Sequence, residues 1–155
     1  MIRKLRKTDL DEVAYIWSNT NKKAHDFIAE TYWDEHFEMV KGMFAQAEIY
    51  VYEEQGQIKG FAGLDDEYIA GIFVRDKEQS GGIGKQLLDF VKSLKGQLEL
   101  NVYQKNERAV SFYKREQFEI QCESIDTSTD EKEYLMTKTS HTPNGTCSLK
   151  IQYFS

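Results

Sequence analysis

Residues Phe73–Val91 read FVRDKEQSGGIGKQLLDFV. An apolar run ends at Val74, a short polar loop follows, and Gly81-Gly82-Ile83-Gly84 lead into a run of helical period. Ile83, Leu87, Val91 and Leu94 fall at i, i+4, i+8 and i+11, which is one face of a helix. The glycines therefore stand where a strand hands over to a helix. A helix start exposes backbone N–H groups and a partial positive charge, so it suits an anion. Glycines let the backbone approach that anion without Cβ atoms in the way. The Walker A pattern fails, because Gln79 and Gln86 stand where it needs Gly and Ser or Thr. The Rossmann fingerprint fails as well, because counting from Gly82 puts Leu87 at its third glycine. What remains is Gln79-x-x-Gly82-x-Gly84 between a strand and an amphipathic helix. Taken alone, that pattern also describes a glycine-rich turn with no ligand.

The composition narrows the field. The chain has 155 residues, 40% hydrophobic and 30% charged, as expected for one globular domain with a single core. Its formal net charge of −6 argues against nucleic acid as the main partner and leaves room for a cationic amine. Cys122 and Cys147 show no metal or redox spacing, so a reducing cytoplasm is the simplest setting and no metal is expected. The start, MIRKLRKTDL, lacks the apolar run of a signal peptide, and no stretch is long enough to span a membrane.

Residues 2–6 read as a first strand. Thr8 and Asp11 mark a helix start, and Leu10, Val13, Ile16 and Trp17 give that helix its apolar face. The polar run 18–23 reads as the loop that ends it, and residues 27–44 as a second helical region, in one piece or two. Residues 48–53 and 58–64 make a hairpin, and 67–74 the strand that feeds the glycine loop. In residues 98–103, Leu98, Leu100 and Val102 alternate with Glu99, Asn101 and Tyr103. The unit from 67 to 103 should place its two strands in parallel. Residues 106–116 form a helix capped by Asn106, and 118–125 with 132–138 a last hairpin. The domain is expected to span residues 1–138. Residues 139–155 read equally as an added strand or a disordered tail, and their apolar end allows a homodimer.

This order, with Gln79-x-x-Gly82-x-Gly84 followed by Asn106-x-x-Ala109-x-x-Phe112-Tyr113-x-x-x-x-Phe118, resembles the GNAT superfamily of acetyl-coenzyme A-dependent N-acetyltransferases over residues 1–138. HDFI at His25–Ile28 and NVYQKNERAVSFYKREQF at Asn101–Phe118 resemble a group of small bacterial acetyltransferases. The resemblance implies an α+β fold with a mixed six- to seven-stranded sheet and about four helices. It implies acetyl transfer from acetyl-CoA to a primary amine of a small molecule or protein, by direct attack in a ternary complex. Two other readings of the same fold stand beside it. One is a non-catalytic acyl-CoA-binding or regulatory module. The other is a toxin acting on aminoacyl-tRNA, which the net acidity disfavours.

The resemblance also implies roles for residues. Gln79, Ser80, Gly81, Gly82, Ile83, Gly84 and Lys85 would cradle the pyrophosphate. Ile72, Phe73 and Val74 would bind the pantetheine arm through their backbone, with an N–H near Phe73 or Val74 as the oxyanion donor. Arg75 and Lys85 would assist the phosphates, and Asn106 would bind the arm besides capping its helix. Tyr113 would be the acid for the sulfur, since a phenol with pKa near ~10 stays protonated at neutral pH. Some relatives carry a base where this chain has Asn101, which cannot take a proton. Glu99, on the same strand face, is then the first candidate, with Glu67 and His25 behind it. Tyr32 or Trp33 would line the acceptor groove.

Overall fold

The computed structural model describes residues 1–138. The extension at 139–155, expected as an added strand or a tail, lies outside the described residues. Seven strands form one mixed sheet: β1 (Ile2–Lys4), β2 (Glu48–Glu54), β3 (Gln57–Asp65), β4 (Tyr68–Val74), β5 (Leu98–Tyr103), β6 (Glu119–Asp126) and β7 (Glu131–Lys138). Their spatial order is β1-β2-β3-β4-β5-β7-β6. Four helices accompany them: α1 (Leu10–Ala24), α2 (Glu30–Phe44), α3 (Ile83–Leu94) and α4 (Glu107–Arg115). Among the described residues, no helix is long and apolar enough to cross a membrane.

The sheet divides two cores. On one face, Val13, Ile16 and Trp17 of α1 and Trp33, Val40 and Phe44 of α2 pack on Ile49, Val51, Phe61, Phe73 and Tyr103. Trp17 meets Trp33 edge-on at 5.7 Å and ties the two helices together. On the other face, Leu87, Leu88 and Val91 of α3 and Val110 and Tyr113 of α4 pack on Leu64, Ile69, Leu98, Leu100 and Val102. The alternation read in residues 98–103 is therefore real: the leucines and Val102 face α3 and α4, and Tyr103 faces α1 and α2. The turn between β2 and β3 is two residues, Gln55 and Gly56, both left-handed (φ 54° and 76°), the geometry that matches hairpin twist.

Two local expectations are corrected. Residues 18–23 do not end the first helix, which runs to Ala24. Their polar side chains bond back into it: Thr20 Oγ1 donates to the Ile16 carbonyl at 2.7 Å, and Asn21 Nδ2 to the Trp17 carbonyl at 2.9 Å. Those bonds satisfy buried polar groups that a sequence pattern reads as loop. Thr8 is not the helix cap either. A single 3-10 turn (Lys7–Asp9) leads into α1, held by Asp9, which accepts from the Arg6 N–H at 2.7 Å and from Arg3 at 2.8 and 3.2 Å. Residues 30–44 are one helix rather than two pieces.

Candidate active site

All strand neighbours are antiparallel except β4 and β5. These two are parallel, as expected, but they pair at one position only, Tyr68 with Glu99, beside a hydrogen bond from the Glu99 N–H to the Glu67 carbonyl (3.0 Å). Beyond that point they part, and a gap opens in the middle of the sheet. A bulge helps to part them. Gly63 pairs with Gly71 and Leu64 with Ile69, which leaves Ala70 as the extra residue of β4.

The backbone of β4 lines this gap. Arg75 N–H donates to the Lys59 carbonyl (2.9 Å), so by strand alternation Phe73 also turns its N–H and C=O to β3. Ile72 and Val74 turn theirs to the gap. Between the two residues expected as oxyanion donor, the alternation therefore favours Val74. The Val74 carbonyl already accepts from Gln79 Nε2 at 3.1 Å.

The glycine loop closes one end of the gap. Gly82 is the N-cap of α3 with φ 87°, a left-handed conformation that disfavours a side chain. The first turn of α3 holds no acidic residue, and no side chain caps it. The first helical bond runs from the Gln86 N–H to the Gly82 carbonyl (3.0 Å), so the N–H groups of Ile83, Gly84 and Lys85 lie ahead of the helix ladder. This arrangement fits a phosphate group. The two cations expected to help point elsewhere. Arg75 is tied to Glu12 (2.9 Å) and to the Ile58 carbonyl (2.7 Å), and Lys85 lies against Asp89 and Glu116, each at 3.3 Å. Each is drawn off by carboxylates that are distant in sequence or one helical turn away. The cation that does reach the loop is Arg108 of α4. Its Nη1 donates to Gln79 Oε1 (2.7 Å) and its Nη2 to Ser80 Oγ (2.9 Å). Arg108 was missed because nothing local to it signals that contact.

Tyr113 extends from α4 into the α3 side of the core, its ring against Phe112 and Phe118 at 5.1 and 5.5 Å. Burial pushes its phenol well above the ordinary range, so it stays protonated. Tyr68 stands at the closed end of the gap, and its hydroxyl donates to Asn101 Oδ1 at 3.1 Å. Burial first, and then the charges of Glu133 and Glu99, raise the Tyr68 phenol well above its ordinary range. Tyr68 and Asn101 thus join β4 to β5 just past their last backbone pair. Tyr68 was not singled out in the sequence, since only the register reveals its partner. Glu99 is half-buried at the closed end of the gap, on the face shared with Asn101 and Tyr103. The register adds buried Glu133 of β7, opposite Tyr103, to that face. Tyr103 donates to Asp126 at 2.6 Å, and the hydroxyl of Tyr32 reaches Ser128 of the same hairpin. Trp33 is buried core.

His25 is not placed as a base. It is 6% exposed at the end of α1, and burial lowers its pKa to about 4 despite neighbouring Asp26. A chain of side chains fixes its neutral form. Asn106 Oδ1 accepts from the Ala109 N–H (3.2 Å), so Asn106 Nδ2 donates to His25 Nε2 (3.0 Å). His25 Nδ1–H then donates to Asn21 Oδ1 (3.1 Å), whose amide nitrogen donates to Trp17. Asn106 is thereby the expected cap of α4, and its oxygen is occupied by capping.

A parted pair of parallel strands over a glycine-capped helix start fits the acetyl-CoA cleft that the GNAT resemblance implies. Comparison with known proteins agrees. A model described as the acetyltransferase (GNAT) domain matches residues 45–120. The chain is 34% identical over 122 residues to YiaC, a peptidyl-lysine N-acetyltransferase of Escherichia coli, covering 77% of this chain and 84% of that one. The solution structure of apo YjaB from Escherichia coli superposes with a TM-score of 0.79 at 26% identity, covering 88% and 95% of the two chains. The PaiA N-acetyltransferase of Thermoplasma acidophilum, solved with coenzyme A, shares the fold at a TM-score of 0.74 and 18% identity, covering 90% and 98%. The chain belongs to the GNAT acetyltransferase family, and it is an acetyl-CoA-dependent N-acetyltransferase.

Proposed function

We propose that the acceptor is the side-chain amine of a lysine in a protein or peptide. Acidic residues on the sheet face beside the gap carry this reading. Glu99, Glu133 and Asp126 lie on the face of β5, β7 and the last hairpin that looks toward α1 and α2. A cationic side chain is attracted there. The likeness to YiaC, itself a peptidyl-lysine N-acetyltransferase, supports the same choice. The domain is taken as residues 1–138. The cytoplasm, where acetyl-CoA is available, is its place of action.

Acetyl-CoA supplies an activated thioester. The chain's residues do the rest. The backbone from Gln79 to Gly84 and the start of α3 hold the phosphates. Ile72 and Val74 hold the pantetheine arm, and the Val74 N–H offsets charge developing on the carbonyl oxygen. Glu99, through a water, takes the proton of the amine as nitrogen bonds to the carbonyl carbon. Tyr113 gives its proton to the sulfur as the carbon–sulfur bond breaks. A lysine amine has a pKa near ~10.4, so a base or an alkaline pH is needed to expose its lone pair. The test uses two peptides, one with an internal lysine and a blocked N-terminus, one with a free N-terminus and no lysine. Mass spectrometry should place the acetyl group on the lysine Nε of the first. Modification of the second peptide alone would overturn the acceptor assignment.

A further inference from the structure

We propose that Arg108 is the cation that holds the pyrophosphate of coenzyme A on the glycine loop. The inference rests on the loop being the phosphate cradle. Arg108 sits in the first turn of α4, yet its guanidinium reaches the two residues that open the loop, at 2.7 Å from Gln79 Oε1 and 2.9 Å from Ser80 Oγ. Gln79 is pinned at both ends, by Arg108 and by the Val74 carbonyl. One guanidinium therefore ties α4 to the loop and, through Gln79, to the end of β4. A guanidinium has five N–H donors in a planar fork, and the loop takes two of them. The rest remain for an anion, and Arg108 is an exposed residue that an anion can approach. Two other cations near the loop carry carboxylate partners: Arg75 pairs with Glu12, and Lys85 with Asp89 and Glu116. A fork already fixed at two points meets a phosphate with little further ordering, and it suits bidentate contact better than a lysine would.

The experiment compares the wild type with Arg108→Gln and Arg108→Lys. Calorimetry gives the Kd of coenzyme A and of 3′-dephospho-coenzyme A, and kinetics give the KM of S-acetylpantetheine, which has no phosphate. A charge-assisted contact predicts that Arg108→Gln weakens both nucleotides by about 10- to 100-fold. It leaves the KM of S-acetylpantetheine unchanged, and Arg108→Lys recovers part of the loss. Unchanged Kd values would overturn the proposal. So would an equal loss for S-acetylpantetheine, which would make Arg108 a structural tie only. A loss confined to coenzyme A would assign Arg108 to the 3′-phosphate instead and overturn the pyrophosphate assignment. Failure of the wild type itself to bind coenzyme A would refute the cradle, and the proposal with it.

Discussion

The hydroxyl of Tyr113 ends a ring packed with Phe112 and Phe118, so the residue is a core anchor and an acid candidate at once. The two roles separate in Tyr113→Phe. The ring stays, so the melting temperature should barely move. Loss of the proton donor should lower kcat by about 100-fold at pH 7, as general acids commonly do, with KM for acetyl-CoA little changed. Wild-type turnover would remove Tyr113 from the chemistry. His25 supports a different prediction. Its pKa falls from the ordinary 6.5 to about 4, because burial disfavours the cation. Between these values the unfolded chain binds a proton that the fold refuses, so stability is lost as pH drops through that window. At about 1.4 kcal/mol for each pH unit the total is roughly 3 kcal/mol. Thermal melts of the wild type and His25→Gln from pH 7 to 4.5 should converge on acidification. Parallel curves would mean that His25 is not held neutral. Neither Tyr68–Asn101 nor His25–Asn106 was legible in the sequence, because each joins residues that only the fold brings together.

At the scale of elements, β4 and α3 meet at the glycine loop proposed to hold the phosphates. Their sequence was legible because its signals are local: an apolar run, glycines and a helical stripe lie within twenty-odd residues. Local reading failed in the second half of α1, where Thr20 and Asn21 spend their polarity on the helix itself. For Arg75 and Lys85, positions beside the loop said nothing of the carboxylates they pair with. The start of α3 supports a paired test. A Cβ at Gly84 would sit 3.8 Å from Phe112 and Val74, ordinary contact. Gly84→Ala should therefore keep the fold and most of the affinity for coenzyme A. Gly84→Asp sets a carboxylate where the helix start offers its N–H groups to an anion. It should weaken coenzyme A binding at least tenfold by calorimetry. Equal affinities in the two variants would mean that no phosphate lies at this helix start.

Across the whole molecule, the sheet is continuous except between β4 and β5, where one backbone pair gives way to a gap. The parallel pair followed from the sequence, because a strand–helix–strand unit constrains it, but the insertion of β7 between β5 and β6 did not. The extent of the gap did not follow, since it depends on a bulge at Ala70 that no residue pattern announces. Glu99 borders the gap with Glu133 and Asp126 on the same face of the sheet, and Arg108 clasps the loop, so the net charge of −6 conceals opposite local charges. On the proposed function, acetyl-CoA binds in that gap with its phosphates on the loop. The most direct measurement is the melting temperature with acetyl-CoA, against ATP and NAD as controls. At about 100 times its Kd, acetyl-CoA should add roughly 2.7 kcal/mol of stability, a rise of several degrees for a domain of this size, with the controls inert. No shift with acetyl-CoA, or equal shifts with all three, would contradict it.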